Sequence, residues 1–274
     1  MTEPKLIVPI NKEGMIIPAK SEGADILYVD FRNFVKNNRF SKPSLIKFIK
    51  VAQSLDIPIY LHFGEDIYEE ELDLIEGIVN ELSTVNVDGI MINDFSVLET
   101  IKNKKIKQLR FKVHLDSGLN IHNIASYEIL KKWKARSVNI TEEIYLKNVT
   151  RIKKYTGKNI CINVNESMWM LHYAVNWGID LFKISGSYKD VPRICLLISL
   201  LKELISDTKR NKTFDNIKIE QVLNLLDHSK PQKHYRTDHF TKKFKDYSGN
   251  DFEFTGSIKV FNWKEDKIKL PSID

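Results

Sequence analysis

A chain of 274 residues, 42% hydrophobic and 28% charged, has the length and apolar content of one (β/α) barrel. Its longest apolar stretches, such as Ile194-Cys195-Leu196-Leu197-Ile198, fall far short of the roughly 20 residues that span a bilayer. The first residues, Met-Thr-Glu-Pro-Lys-Leu-Ile-Val, lack the order of a signal peptide. The expectation is therefore a cytoplasmic protein with no membrane partner, and the net charge of +6 is moderate and spread along the chain.

In chain order, short β-rich runs alternate with helical patterns through residue 206. The runs are Leu6–Ile10, Ile26–Asp30, Ile57–Phe63, Gly89–Asp94, Phe111–Ser117, Ser137–Thr141, Ile160–Asn165 and Leu181–Gly186. Between them, Leu72, Ile75, Val79 and Leu82 recur at helical spacing, as do Ile194, Leu197, Ile198, Leu201 and Leu204. Ser41-Lys-Pro-Ser reads as a helix start, with a capping residue and an early proline. Strands alternating with helices imply parallel βαβ units. Eight of them predict an α/β fold of the (β/α)8 TIM-barrel type over residues 1–206. A doubly wound open sheet is the alternative, but no Gly-x-Gly-x-x-Gly follows any strand. Residues 207–274 are more polar and less periodic, and end in the alternating Ser257–Trp263. They read as a C-terminal extension packed on the barrel, with room for one hairpin. Within it, Lys230–Lys245 sets Tyr235, Phe240 and Phe244 among Lys, Arg and His. That mixture can hold a nucleic-acid backbone and stack on bases, so RNA is a candidate partner, beside the plainer reading of a solvated tail.

Barrel active sites are built at the C-terminal ends of the strands. Those ends carry Asp30, His62, Asn93-Asp94, His114 with Asp116, Asn139, Asn163 with Asn165, and Lys183 with Ser185. Side chains alternate across a strand, so His114 and Asp116 share a face, and so do Asn163 and Asn165, and Lys183 and Ser185. If these faces point inward, polar groups converge at one mouth. Buried polar groups are costly unless paired or used, which favours a binding site for a small molecule over hydrogen-bonded barrel layers. His114 with Asp116 offers a general base and its charge partner, and His62 could join them. These three could also hold a divalent metal, although no metal-specific spacing supports it. Ser185-Gly186-Ser187 follows the eighth strand, where barrels often hold phosphate on backbone N–H groups, and Lys183 could act as a Schiff-base nucleophile.

Several of these stretches together resemble the peptidase U32 family, the collagenase-like proteins. Glu22–Asp30 is similar to its Gly-Ala-Asp-x-x-Tyr element, and Val87–Leu98 to its aspartate-bearing stretch, with Asp94 on the matching aspartate. Val113–Asn123 resembles its His-x-Ser segment, aligning His114 and Asn123, while Asn139–Val149 places Glu143 on its glutamate. Gly178–Ser187 is similar to its Lys-Ile-Glu-Gly-Arg signature, aligning Lys183 and Gly186. The departures are Asp116 for serine, Glu142 for arginine, Ser185 for glutamate and Ser187 for arginine. The strand-end pattern makes His114, Asp116 and His62 the candidate catalytic residues, and the resemblance adds Glu143 and supports His114, but the His114–Asp116 pair is not inherited from the family pattern. Substrate contacts are expected from Asp94, Asn123, Lys183 and Gly186 by the resemblance, and from Asp30, Asn163, Asn165, Ser185 and Ser187 by their place at the strand ends.

Many members of that family carry a Cys-rich segment associated with an iron–sulfur cluster, in proteins linked to hydroxylation of RNA bases or of a quinone precursor. Here that segment is missing, and Cys161 and Cys195 cannot supply the four thiolates of a typical cluster. A family-type cluster is not expected, and the cofactor stays open. No Ser–His–Asp grouping and no His-Glu-x-x-His supports a peptidase on residues alone. Two functions follow. One is an enzyme, or enzyme subunit, acting on a small anionic or aromatic metabolite or an RNA base, by hydroxylation-type or hydrolytic chemistry. The other is a non-catalytic subunit paired with a cluster-bearing relative.

Overall fold

The computed structural model describes residues 3–226, apart from 37–38, 65–66, 83, 104–110, 122, 141–145, 169–170, 177, 189 and 211–215. Eight parallel strands close a barrel: β1 (Lys5–Pro9), β2 (Ile26–Asp30), β3 (Ile59–Phe63), β4 (Gly89–Ile92), β5 (Lys112–Leu115), β6 (Ser137–Asn139), β7 (Asn159–Asn163) and β8 (Leu181–Lys183). Each pairs with its sequence neighbours and β8 closes on β1, with Leu6 opposite Phe182. The predicted (β/α)8 barrel is the observed fold.

Helices α1 (Ile16–Ser21), α2 (Lys42–Ser54), α3 (Leu72–Leu82), α4 (Phe95–Asn103), α5 (Ile124–Leu130) and α6 (Leu146–Thr156) each follow one strand. Short helices α7 (Val164–Ser167) and α8 (Leu171–Asn176) follow β7, and α9 (Val191–Lys209) follows β8. The helical spacing in the sequence buries one stripe of each: Ile75, Ile78, Val79 and Leu82 on α3, and Ile194, Leu197, Ile198, Leu201 and Leu204 on α9. The main core lies between strands and helices. A second, smaller apolar cluster of Ile7, Ile26, Tyr28, Tyr60, Met91, Cys161 and Leu181 is formed by side chains facing the barrel axis.

The barrel floor repeats one device. The residue just before β2, β4 and β8 is an aspartate, and each accepts a backbone N–H of the preceding strand. Asp25 takes Leu6, Asp88 takes Ile59 and Asp180 takes Ile160, at 2.7, 2.9 and 2.9 Å. A short carboxylate thereby satisfies amides that the parallel ladder leaves over at the strand starts.

Helix α9 runs to Lys209, past the expected boundary at residue 206, and α10 (Asn216–Leu225) packs against it. Arg193 on α9 donates to the carbonyls of Leu225 and Leu226 at 3.0 and 3.3 Å. The remainder of the extension, including Lys230–Lys245 and Ser257–Trp263, lies outside the described residues.

Candidate functional site

Three buried side chains meet on the barrel axis near the strand ends. Asp116 follows β5 directly, His62 belongs to β3 and Lys183 ends β8. Asp116 Oδ2 lies 2.6 Å from Lys183 Nζ and 2.7 Å from His62 Nε2, and Nζ is 3.5 Å from Nε2. Asp116 Oδ1 accepts from Asn139 Nδ2 at 2.6 Å and from the Ser117 amide at 2.9 Å. Asn139 donates its second amide hydrogen to Asn163 Oδ1 at 2.9 Å, and Asn163 Nδ2 reaches Ser117 Oγ at 3.3 Å.

The electrostatics decide which protons sit where. Burial opposes ionisation of Asp116, but the Lys183 ammonium and the hydrogen bonds from His62 and Lys183 outweigh it and hold the carboxyl well below its usual range. Burial, then the Lys183 charge, pushes the His62 imidazole below its ordinary value against the pull of Asp116. His62 is thus neutral beside an ionised carboxylate, which can only accept. The ring proton therefore resides on Nε2, and Nδ1 keeps a free lone pair. Nδ1 faces Asp30 Oδ2 across 3.8 Å, too far for a hydrogen bond.

The neighbours hold this ring in place. Tyr28 packs edge-on against His62, with centroids 5.0 Å apart, and donates its hydroxyl to the Ile184 carbonyl at 2.8 Å. Gly64 lies against the imidazole so closely that a Cβ there would sit 1.9 Å from Cε1. Asn93 donates to the Gly64 carbonyl at 3.0 Å and accepts the Gly118 amide at 2.5 Å. It ties the loop after β3 to the loop after β5, one on either side of its own strand.

His114 has a different partner from the one the sequence spacing gives it. It faces the axis one strand step below Asp116, but Nδ1 meets Ser137 Oγ at 2.6 Å and its ring stacks on Tyr60 at 4.3 Å. Period two placed both side chains inside the barrel, and the base–carboxylate contact formed across strands, between His62 and Asp116. Burial, with Lys112 and Arg136, lowers the His114 pKa to about 3. Gly89 makes the room: a Cβ there would come within 2.9 Å of Tyr60 and 3.1 Å of His114.

Of the other candidates, Asp30 borders the site and also caps the following turn by accepting the Arg32 amide at 2.9 Å. Asp94 caps α4 through Ser96 and holds the Ile67 amide. Asn123 is exposed and caps α5 through a reciprocal pair with Ser126. Asn165 does not share a strand face with Asn163, because the chain turns helical at Val164. Instead it clamps the backbone of Ser185 through both its amide groups, at 2.7 and 2.8 Å. Ser185, Gly186 and Ser187 lie beyond the end of β8, with Gly186 at φ +113°. Glu143 lies outside the described residues. The sequence alone assigns no role to Tyr28, Gly64 or Asn139; Tyr28 leaves a signal as the tyrosine of the Gly-Ala-Asp-x-x-Tyr element, and Asn139 as a polar residue ending an apolar strand.

The thiols do not form a cluster site. Cys161 faces the barrel axis among Tyr28, Tyr60 and Met91, and burial raises its pKa. Cys195 lies on α9, outside the barrel. Among the described residues, no group of three or more His, Cys, Asp or Glu side chains is placed to hold a metal ion.

Residues 15–173 match the family model described as peptidase family U32. The chain belongs to the U32 family. That match holds His62, Asp116, Asn139 and Asn163 and ends before Lys183. Over 160 residues the chain is 24% identical to an uncharacterized protease of Methanocaldococcus jannaschii, covering 57% of this chain and 37% of that protein. The chain therefore spans little more than a third of the curated relative it matches. Among solved structures, an N-acetylneuraminate lyase (sialic acid aldolase) from Aliivibrio salmonicida aligns with a TM-score of 0.53 at 14% identity, over 82% of this chain and 79% of that one. A thiamine phosphate pyrophosphorylase from Pyrococcus furiosus aligns with a TM-score of 0.52 at 10% identity, over 75% and 96%. At such identities the likeness is one of fold. This U32 barrel has no helix, among the described residues, long and apolar enough to cross a membrane.

Proposed function

We propose that this U32 barrel is an enzyme that removes a proton from a small ligand at its mouth, with His62 Nδ1 as the general base. The observation that carries the reading is the His62–Asp116 contact, 2.7 Å long and buried, which fixes the ring proton on Nε2 and leaves Nδ1 to accept. When Nδ1 takes a proton, the imidazolium lies between Asp116 and Asp30, two carboxylates that stabilise it. Lys183 keeps Asp116 ionised, so that the base is always backed by a charge.

The groups around the base favour a ligand with N–H or O–H donors. Asn139 Oδ1 is buried without a hydrogen-bond partner among the described residues, and Asp30 adds further acceptors. An RNA base or an aromatic metabolite with such donors suits this set better than a bare anion. Hydroxylation-type or hydrolytic modification, as the family resemblance suggests, would use His62 in this same proton-transfer role.

A second reading is an assisting subunit paired with a cluster-bearing relative, and it rests on the separation of Cys161 from Cys195. Native mass spectrometry of the protein purified anaerobically from its own host separates the two. A small-molecule adduct on the wild type that is lost from His62→Gln supports the enzyme. A bare chain bound to a cysteine-rich protein, in wild type and variant alike, overturns it in favour of the subunit.

A further inference from the structure

Among the even-numbered strands β2, β4, β6 and β8, the floor aspartate has one exception. At the same place before β6 stands Arg136. Its backbone amide keeps the shared pattern, donating to Val113 as Asp25, Asp88 and Asp180 donate to Leu6, Ile59 and Ile160. Its side chain inverts it, since a guanidinium has no acceptor to offer the Val113 amide. Where the other three strand pairs carry a carboxylate contact, β5 and β6 border an open surface pocket of about 350 Å³.

Four cations line that cavity: Lys112 at the start of β5, Lys134 and Arg136 before β6, and Lys158 before β7. Asp25 and Asp180 are met by Lys202 and Lys153 at 2.6 and 2.9 Å. Among the described residues, no carboxylate pairs with any of the four cations here. Lys134 is moreover held at φ +51°, a left-handed conformation that costs a non-glycine residue about a kcal/mol or more. Unneutralised like charges around a concavity repel one another, and an anion relieves that repulsion. Trp133, half-buried, completes the wall and gives ring surface beside the charges, over the buried Phe111. The volume falls at the small end of ordinary ligand pockets.

We propose that this floor pocket binds a small polyanion with a ring system, of the class of nucleoside diphosphates. A phosphate oxygen takes the place that an aspartate carboxylate occupies at the other three positions, and the ring lies on Trp133. The pocket is on the opposite end of the barrel from His62, so the inference does not depend on the reaction at the mouth.

Isothermal titration of the full chain with ADP tests it, with adenosine and pyrophosphate as the parts of the probe. ADP binds in the micromolar range, pyrophosphate binds more weakly and adenosine does not bind. Arg136→Asp, which restores the shared carboxylate, weakens ADP at least tenfold and leaves the melting temperature unchanged or raised. Arg136→Gln and Lys112→Gln, both at exposed side chains, keep the test alive if the aspartate variant fails to fold, and each weakens ADP severalfold. Absence of ADP binding at millimolar concentration, or equal binding by wild type and all three variants, overturns the site. Pyrophosphate binding as tight as ADP overturns the ring contact.

Discussion

Asp116 accepts four hydrogen bonds, from Lys183, His62, Asn139 and the Ser117 amide, at 2.6, 2.7, 2.6 and 2.9 Å. A carboxylate so filled has no lone pair left for a substrate, so its role is to position His62 and to fix its tautomer. The price of that arrangement is a charge pair buried where water cannot replace either partner. Removing one member leaves the other uncompensated, which typically costs about 3–5 kcal/mol. Lys183→Met and Asp116→Asn should each destabilise the fold by about that much, measured by urea denaturation at neutral pH. The double variant removes both charges together and should lose clearly less than the sum. Strict additivity would mean that the two groups do not act as a pair.

At the level of elements, the closing helix α9 is continued by α10, whose Val222 is fully buried, as is Leu226 just after it. Leu226→Ala in the full chain should therefore cost about 2–5 kcal/mol, the range for a leucine removed from a packed core. A change below about 0.5 kcal/mol, the size expected at an exposed site, would show that α10 does not support the barrel. This end of the barrel was hard to read from sequence, because Asn216–Leu225 has a mixed polar pattern and a weak apolar stripe. Eight short runs separated by helical stripes were enough for the barrel itself, since parallel strands buried on both faces read as continuous apolar segments. The polar strand ends were legible for the same reason: His62, Asp116 and Lys183 interrupt those segments. Pairing was not legible. Period two puts His114 and Asp116 on one face, but partners on a barrel axis come from other strands, and register decides them. Asn123 and Asp94 also have structural roles that the sequence reading did not weigh, since a polar residue just before a helix caps it as readily as it binds a ligand.

Across the whole molecule, the barrel axis carries neutral imidazoles at two levels, His62 near the mouth and His114 below it, and their pKa values tie global stability to pH. Burial lowers the His114 value to about 3 and moves His62 in the same direction. Unfolding exposes both to water, where an imidazole titrates near about 6.5. For a basic group with a depressed folded value, the unfolded chain binds more protons between the two values. The stability is therefore complete above the unfolded value and declines as pH falls below it. A site depressed as far as His114 steepens the decline by about 1.4 kcal/mol per pH unit, and His62 acts in the same direction. Asp116 has the opposite chemistry but the same sign: its depressed value adds stability above about pH 4, which is lost on further acidification. Between pH 6 and 5 the histidines dominate this difference. His114→Phe keeps a ring against Tyr60 and removes one titrating group. Its stability at pH 7 can move either way, but its slope between pH 6 and 5 should be shallower than that of the wild type by about one proton's worth, or 1.4 kcal/mol per pH unit. Urea denaturation at half-unit steps of pH reads that slope directly. Equal slopes would mean that His114 is protonated in the folded barrel, and that Lys112 and Arg136 on the floor do not reach it.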